Sequence, residues 1–150
     1  MLALMYAALL ASSLLVPRVR GQRASLRRCL AVFAMGAAGA GAALVAGGAP
    51  VAVPFGPWVL PLSIVAAVAE EVFFRGAAYG LIQRRGGAAV AVLVTAVGFA
   101  AIHVPLYGVA AVPIDLGAGI LLGWQRWETG DWTVPAATHV AANLIAVISR

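Results

Sequence analysis

The sequence predicts an all-α protein, a polytopic bundle of about six membrane-spanning helices, and three observations carry that prediction. Of the 150 residues, 63% are hydrophobic and only 10% charged, more apolar surface than a soluble chain of this size can bury. The apolar residues fall into six runs separated by short polar or Gly/Pro breaks. The few ionisable groups inside those runs stand at a handful of positions. Such groups cost about 2.5–3.5 kcal/mol each at mid-bilayer, so they are rare there and usually functional.

The runs can be taken in order. Met1 to Val16 is short for a crossing, which takes about 20 residues. It has no basic region ahead of its apolar core and is followed by arginines, so it reads as a span and not as a signal peptide. Cys29 to Ala49 is crowded with Ala and Gly from Gly36 to Ala43, small residues that allow close helix contact. Trp58 to Ile82 opens on an interfacial tryptophan and carries Gly76 and Gly80 as a GxxxG pair. Ala88 to Val104 stops at Pro105, and Leu106 to Trp124 contains Asp115 and a second GxxxG pair, Gly119 and Gly123. Thr133 to Ser149 is the sixth run. The reading is a single membrane domain over 1–150, with two N-terminal spans in 1–57 and the polar positions gathered in 58–150.

Charge orients the bundle. The net charge is +5 and all ten basic residues are arginine. Arg18, Arg20, Arg23, Arg27 and Arg28 fall in the first loop, Arg84 and Arg85 in the third, and Arg126 in the fifth. Alternation puts these loops on one side, which the positive-inside rule assigns to the cytoplasm. Trp58, Trp124, Trp127 and Trp132 fall at the membrane interfaces that indole rings favour. No basic face interleaved with aromatics accompanies the charge, so nucleic acid is not expected as a partner. The single Cys29 excludes an intrachain disulfide and a cysteine metal cluster.

The polar positions have a pattern. The third run reads Glu70-Glu71-Val72-Phe73-Phe74-Arg75 at its centre. Neighbours on a helix point about 100° apart, so the two acids are expected on different faces. Glu71 and Arg75 are four apart with the acid first, the favourable order for an ion pair. Glu70 then aims elsewhere as a desolvated carboxylate, a candidate general base. The only two histidines, His103 and His139, lie on other runs, and Asn143 shares a helical face with His139. Asn143 either orients that imidazole or donates to a developing oxyanion. Glu, two His and Asn converging on a water make a hydrolytic centre. The same donor types suit a divalent metal such as zinc, held if present by His103, His139 and Glu70, although the HExxH arrangement is absent. Asp115 is expected to pack or to line the cavity, and Tyr107 and Thr138 flank the site.

Glu70-Glu71-x-x-x-Arg75, Phe99-x-x-x-His103 and His139-x-x-x-Asn143 together resemble the motif set of the CPBP family. That family comprises type II CAAX prenyl endopeptidases and bacterial relatives linked to bacteriocin processing and self-immunity. Glu128-Thr129-Gly130-Asp131-Trp132, leading through Pro135 to His139, and the Gly-rich run Leu116 to Gly123 fit it as well. The resemblance covers Trp58 to Ser149, and departs at the N-terminus, where relatives commonly carry more spans. It implies a multi-pass endopeptidase of the bacterial plasma membrane acting on a membrane-associated peptide. By position, Glu70 would activate water with help from His103, and His139 with Asn143 would stabilise the oxyanion. Glu71 and Arg75 would support the site. Two other classes compete: a non-proteolytic scaffold or bacteriocin-immunity protein that keeps the motifs, and an ion transporter. The transporter predicts related halves with broken helices, and no internal symmetry is visible.

Overall fold

The computed structural model describes Ala11, residues 23–47 and residues 56–148; the expected span Met1 to Val16 lies outside the described residues. Every element among them is helical. Helix α1 spans Leu26–Gly47 and α2 spans Val59–Glu71. A π-helical segment, Val72–Ala78, carries α2 directly into α3, Tyr79–Tyr107. A 3-10 turn, Val109–Ala111, leads to α4, Val112–Thr129, and α5 spans Thr133–Ile148.

The stretch Val59–Tyr107 is the one described helix long and apolar enough to cross a membrane by length and composition. It is not straight. Gly87 stands at φ 81° and ψ 174°, a conformation that side chains with a Cβ rarely adopt, and it folds the stretch back on itself. Tyr79 packs with Ala91 and Val92, Phe74 lies edge-on to Phe99 at 5.8 Å, and Glu70 reaches His103. These pairs step outward from Gly87 as an antiparallel hairpin must. Each arm is at least as long as the roughly 20 residues of a crossing, and the break expected between Ile82 and Ala88 is present as a hairpin turn.

Two expected boundaries shift. The helix continues through Pro105 to Tyr107 and stops at Gly108, whose φ is 78° and whose N–H donates to Val104 O at 2.8 Å. A proline in a last turn removes one amide donor but leaves the chain free to finish that turn. Likewise α4 runs past Trp124 to Thr129 and ends on Gly130 in the left-handed region, at φ 71°. Arg126 is therefore not a loop arginine. It is buried in the last turn of α4, where Nε donates to Arg75 O at 2.8 Å and the guanidinium lies 5.0 Å from the Tyr79 ring centroid.

Small residues set the packing. The backbone of α4 lies so close to α3 that a Cβ on Gly119 would come within 2.8 Å of Ala96 Cα, and one on Gly123 within 3.1 Å of Val92 Cγ1. The GxxxG pair thus acts as a helix contact. Helix α1 docks on α4 and α5 through a polar clamp: the buried Gln125 donates from Nε2 to Val32 O and to Thr138 Oγ1, both at 2.9 Å. Gly36 makes room for it. At one end Ala24 N–H donates to Thr129 O at 3.0 Å, Arg23 pairs with Asp131, and Arg28 pairs with Glu128.

A Cβ at Gly36 would fall 2.0 Å from Gln125 Nε2 and 3.0 Å from Thr138 Cγ2. Gly36→Ala is therefore expected to lower the thermal midpoint of the detergent-solubilised protein, although Ala favours helix by roughly 1 kcal/mol. Displacing the amide leaves buried polar groups unpaired at about 1–3 kcal/mol. An unchanged or raised midpoint would show that the clamp contributes nothing.

Candidate active site

The site begins where α2 gives way to the π segment. In the wider i→i+5 turn, Tyr79 N–H reaches back to Phe74 O, and such segments recur at functional sites. Glu70 and Glu71 at the end of α2 and Phe74 and Arg75 in the π segment are all buried in the bundle. Arg75 has no exposed surface. Its Nη1 donates to Glu71 Oε1 at 2.8 Å, its Nη2 to Gly119 O at 3.0 Å, and its guanidinium lies 4.8 Å from the Phe99 ring centroid. The expected Glu71–Arg75 pair is thus present, but Glu71 does more than its spacing suggests. The same Oε1 accepts from His139 Nδ1 at 3.0 Å, so Glu71 does not simply turn away from the site.

The other imidazole is anchored differently. His103 Nδ1 lies 2.7 Å from Phe99 O. A carbonyl only accepts, so Nδ1 carries the proton there. Facing the Glu71 carboxylate, His139 Nδ1 is likewise the donor. Both Nε2 atoms then turn to one oxygen: Glu70 Oε2 lies 4.0 Å from His103 Nε2 and 3.8 Å from His139 Nε2. Phe99 lies between the rings, 4.5 Å from the His103 centroid and 5.6 Å from that of His139, and Tyr107 stacks on His103 at 5.7 Å.

Asn143 does not join this cluster directly. Its amide Nδ2 donates to Ser63 O at 3.4 Å, one turn beyond His139, tying α5 to α2. Asp115 lies in the turn of α4 that precedes Gly119, whose backbone packs on Ala96 of α3. Gln125 and Arg126 are buried polar positions to which the sequence reading assigns no role in the bundle. A glutamine and an arginine flanked by apolar helix are the signal that singles them out.

Glu70, His103 and His139 have the donor chemistry of a zinc site, but their spacing does not fit one. No group of three His, Cys, Asp or Glu among the described residues is arranged to hold a metal ion. Bonds of about 2.0–2.1 Å around tetrahedral zinc set ligands roughly 3.3 Å apart, closer than the 3.8 and 4.0 Å found here.

A buried carboxylate and two imidazoles thus converge between the helices of an all-helical bundle. The family comparison gives it a name: residues 52–145 match the type II CAAX prenyl endopeptidase Rce1-like family, and the chain belongs to that family. It is a membrane-embedded family of CAAX-type proteases, in agreement with the CPBP resemblance of the motifs. Comparisons with curated proteins and with solved structures each return no match. The matched segment contains every polar residue of the cluster and leaves α1 outside.

Glu71→Gln is expected to be a folding defect before it is a catalytic one, because it strands a guanidinium with no exposed surface. Removing one partner of such a buried pair costs about 3–5 kcal/mol, read as a fall in monodisperse yield and thermal midpoint. The double variant Glu71→Gln/Arg75→Met should recover much of that loss. Wild-type stability of Glu71→Gln alone would contradict the pairing.

Proposed function

We propose that the chain is an intramembrane endopeptidase that hydrolyses a peptide bond of a membrane-associated substrate. One observation carries the reading: a single oxygen of Glu70 faces Nε2 of both histidines, at 4.0 and 3.8 Å. A water there lies within hydrogen-bond reach of a base and of two imidazoles. Glu70 takes a proton from that water as its oxygen adds to the substrate carbonyl carbon, and the C=O π electrons move to the carbonyl oxygen. His103, anchored through Nδ1, orients the water. His139, with a proton on Nε2, donates to the oxyanion; Glu71 fixes its ring for that purpose. Asn143 supplies a second donor by exchanging Ser63 O, a long bond at 3.4 Å, for the substrate oxygen. The proton on Glu70 passes to the leaving nitrogen as the C–N bond breaks, which restores the carboxylate.

The same reading extends to architecture and placement. Five of the six apolar runs coincide with described helices, and we read the bundle as multi-pass in a bacterial plasma membrane with its arginine loops cytoplasmic. Arg23, Arg27, Arg28, Arg84 and Arg85 are exposed. They gather at one end, since Ala24 bonds Thr129 and Val92 packs on Gly123. The natural substrate class of the family, a C-terminal CAAX peptide prenylated on its cysteine, supplies the first probe to try.

Glu70→Gln should abolish cleavage of an internally quenched farnesyl-cysteine peptide, a loss of about 10²–10⁴-fold for a general base. Thermal midpoint should be unchanged, since the amide keeps the shape of the acid. Full activity in Glu70→Gln would remove the assigned base. Complete inactivity of a folded wild type on membrane peptides would instead favour the non-proteolytic scaffold.

Orientation can be read in a Cys29→Ser background. A membrane-impermeant maleimide applied to intact cells should label Val109→Cys and reach Arg85→Cys only after lysis; the reverse pattern would invert the topology.

A further inference from the structure

Asp115, in the first turn of α4, is an ionisable side chain that the proposed reaction leaves without work. Its place follows from helix register. Gly119 packs on Ala96 and Gly123 on Val92, so the preceding turn of α4, which carries Asp115, lies beside the turn of α3 that rises from Phe99 to His103. Glu70 and Glu71 on α2, His103 on α3 and His139 on α5 meet one another, and this register brings Asp115 on α4 to the same region.

What marks Asp115 is an acceptor lacking a donor. Its Oδ2 is shielded from solvent and takes no hydrogen bond among the described residues. The neighbouring imidazoles do not supply one: His103 Nδ1 is held by Phe99 O, His139 Nδ1 by Glu71, and both Nε2 atoms face Glu70. Arg75 directs its terminal nitrogens to Glu71 and Gly119 O. Glu71 Oε2 and Arg75 Nε are also without hydrogen bonds, but they belong to a pair whose charges offset each other. A carboxylate can only accept, and an unpaired buried acceptor costs about 1–3 kcal/mol or more when charged.

A peptide entering this chamber brings the matching deficit. To be cleaved it must be extended, and its backbone N–H groups then lose helical partners at a depth where lipid offers none. The water, Glu70, His139 and Asn143 all act on the scissile carbonyl and leave the adjoining amides unserved. We propose that Asp115 is a substrate-positioning residue, whose carboxylate accepts a backbone N–H of the bound peptide next to the scissile bond. This rests on the protease reading above.

The test measures binding without turnover, in the full chain reconstituted in nanodiscs and carrying Glu70→Gln. The probes are a fluorescent farnesyl-cysteine peptide with three residues after the cysteine, and its analogues N-methylated at each backbone amide in turn. Asp115→Ala should weaken binding of the parent peptide by about tenfold, the equivalent of one charged hydrogen bond. Asp115→Asn, which keeps a neutral acceptor oxygen, should fall between. For one N-methyl analogue, and not for the others, the protein that keeps Asp115 and the Asp115→Ala variant should bind equally, a signature that a general loss of structure does not produce. Equal affinity of all three proteins for the parent peptide, a uniform penalty across all analogues, or no binding by the protein that keeps Asp115 would each overturn the inference. Cleavage by the enzyme with Glu70 intact is scored separately. An inert enzyme whose peptide binding depends on Asp115 would refute the protease reading and keep this one. A cleaving enzyme indifferent to Asp115 would do the opposite.

Discussion

The arrangement depends on keeping one guanidinium satisfied where no solvent reaches it. Arg75 has no exposed surface, and a charge in that position persists only with close counter-charge and hydrogen bonds. Glu71 supplies the charge, Gly119 O a second acceptor, and the Phe99 ring a face to lie on. Each partner has a structural consequence. Reaching Gly119 O needs α4 almost in backbone contact with α3, which Gly119 permits by lacking a side chain. Keeping Phe99 under the guanidinium aligns α3 so that His103, one turn on, faces Glu70. Through Glu71 the ion pair also holds His139. Arg75 thereby holds His139 through Glu71 and lies against the helix that carries His103.

The second arginine closes this framework from the other side. A π segment interrupts the regular ladder of backbone bonds, and the Arg75 carbonyl within it accepts from Arg126 Nε at 2.8 Å. Arg75 and Arg126 thus tie α4 to the π segment in both directions, the first donating to α4 and the second donating from it. Gln125, next in sequence to Arg126, faces α1 and Thr138, so consecutive residues of one turn bind the outer helix and the catalytic hairpin. Thr138 immediately precedes His139, which makes α1, outside the matched family segment, a support for the site's last histidine.

Much of this is legible in the sequence because lipid makes polar residues conspicuous. Glu70, Glu71, Arg75 and both histidines stand out against apolar runs, and the i,i+4 spacing of Glu71 and Arg75 names the ion pair. What spacing cannot convey is rotation. Glu70 and Glu71 point apart on a regular helix as expected, yet both meet His139, one at Nε2 and the other at Nδ1. A boundary at Pro105 is misplaced because proline forbids an amide donor, not the completion of a turn. Arg126 reads as a loop charge because it follows an apolar run, yet its guanidinium folds back into the bundle. Asn143 groups with His139 by spacing alone. Its Ser63 contact depends on how α5 packs against α2, which no local pattern encodes.

The central claim is that both imidazoles are anchored through Nδ1–H, which leaves Nε2 of each turned to Glu70. Two histidines in the chain make this directly observable by ¹⁵N NMR of histidine-labelled protein in lipid bilayers, where protonated and bare ring nitrogens are well separated. The account predicts a protonated Nδ1 in both residues, with the His139 signal moving in Glu71→Gln/Arg75→Met and the His103 signal unchanged. A bare Nδ1 in either histidine would contradict it.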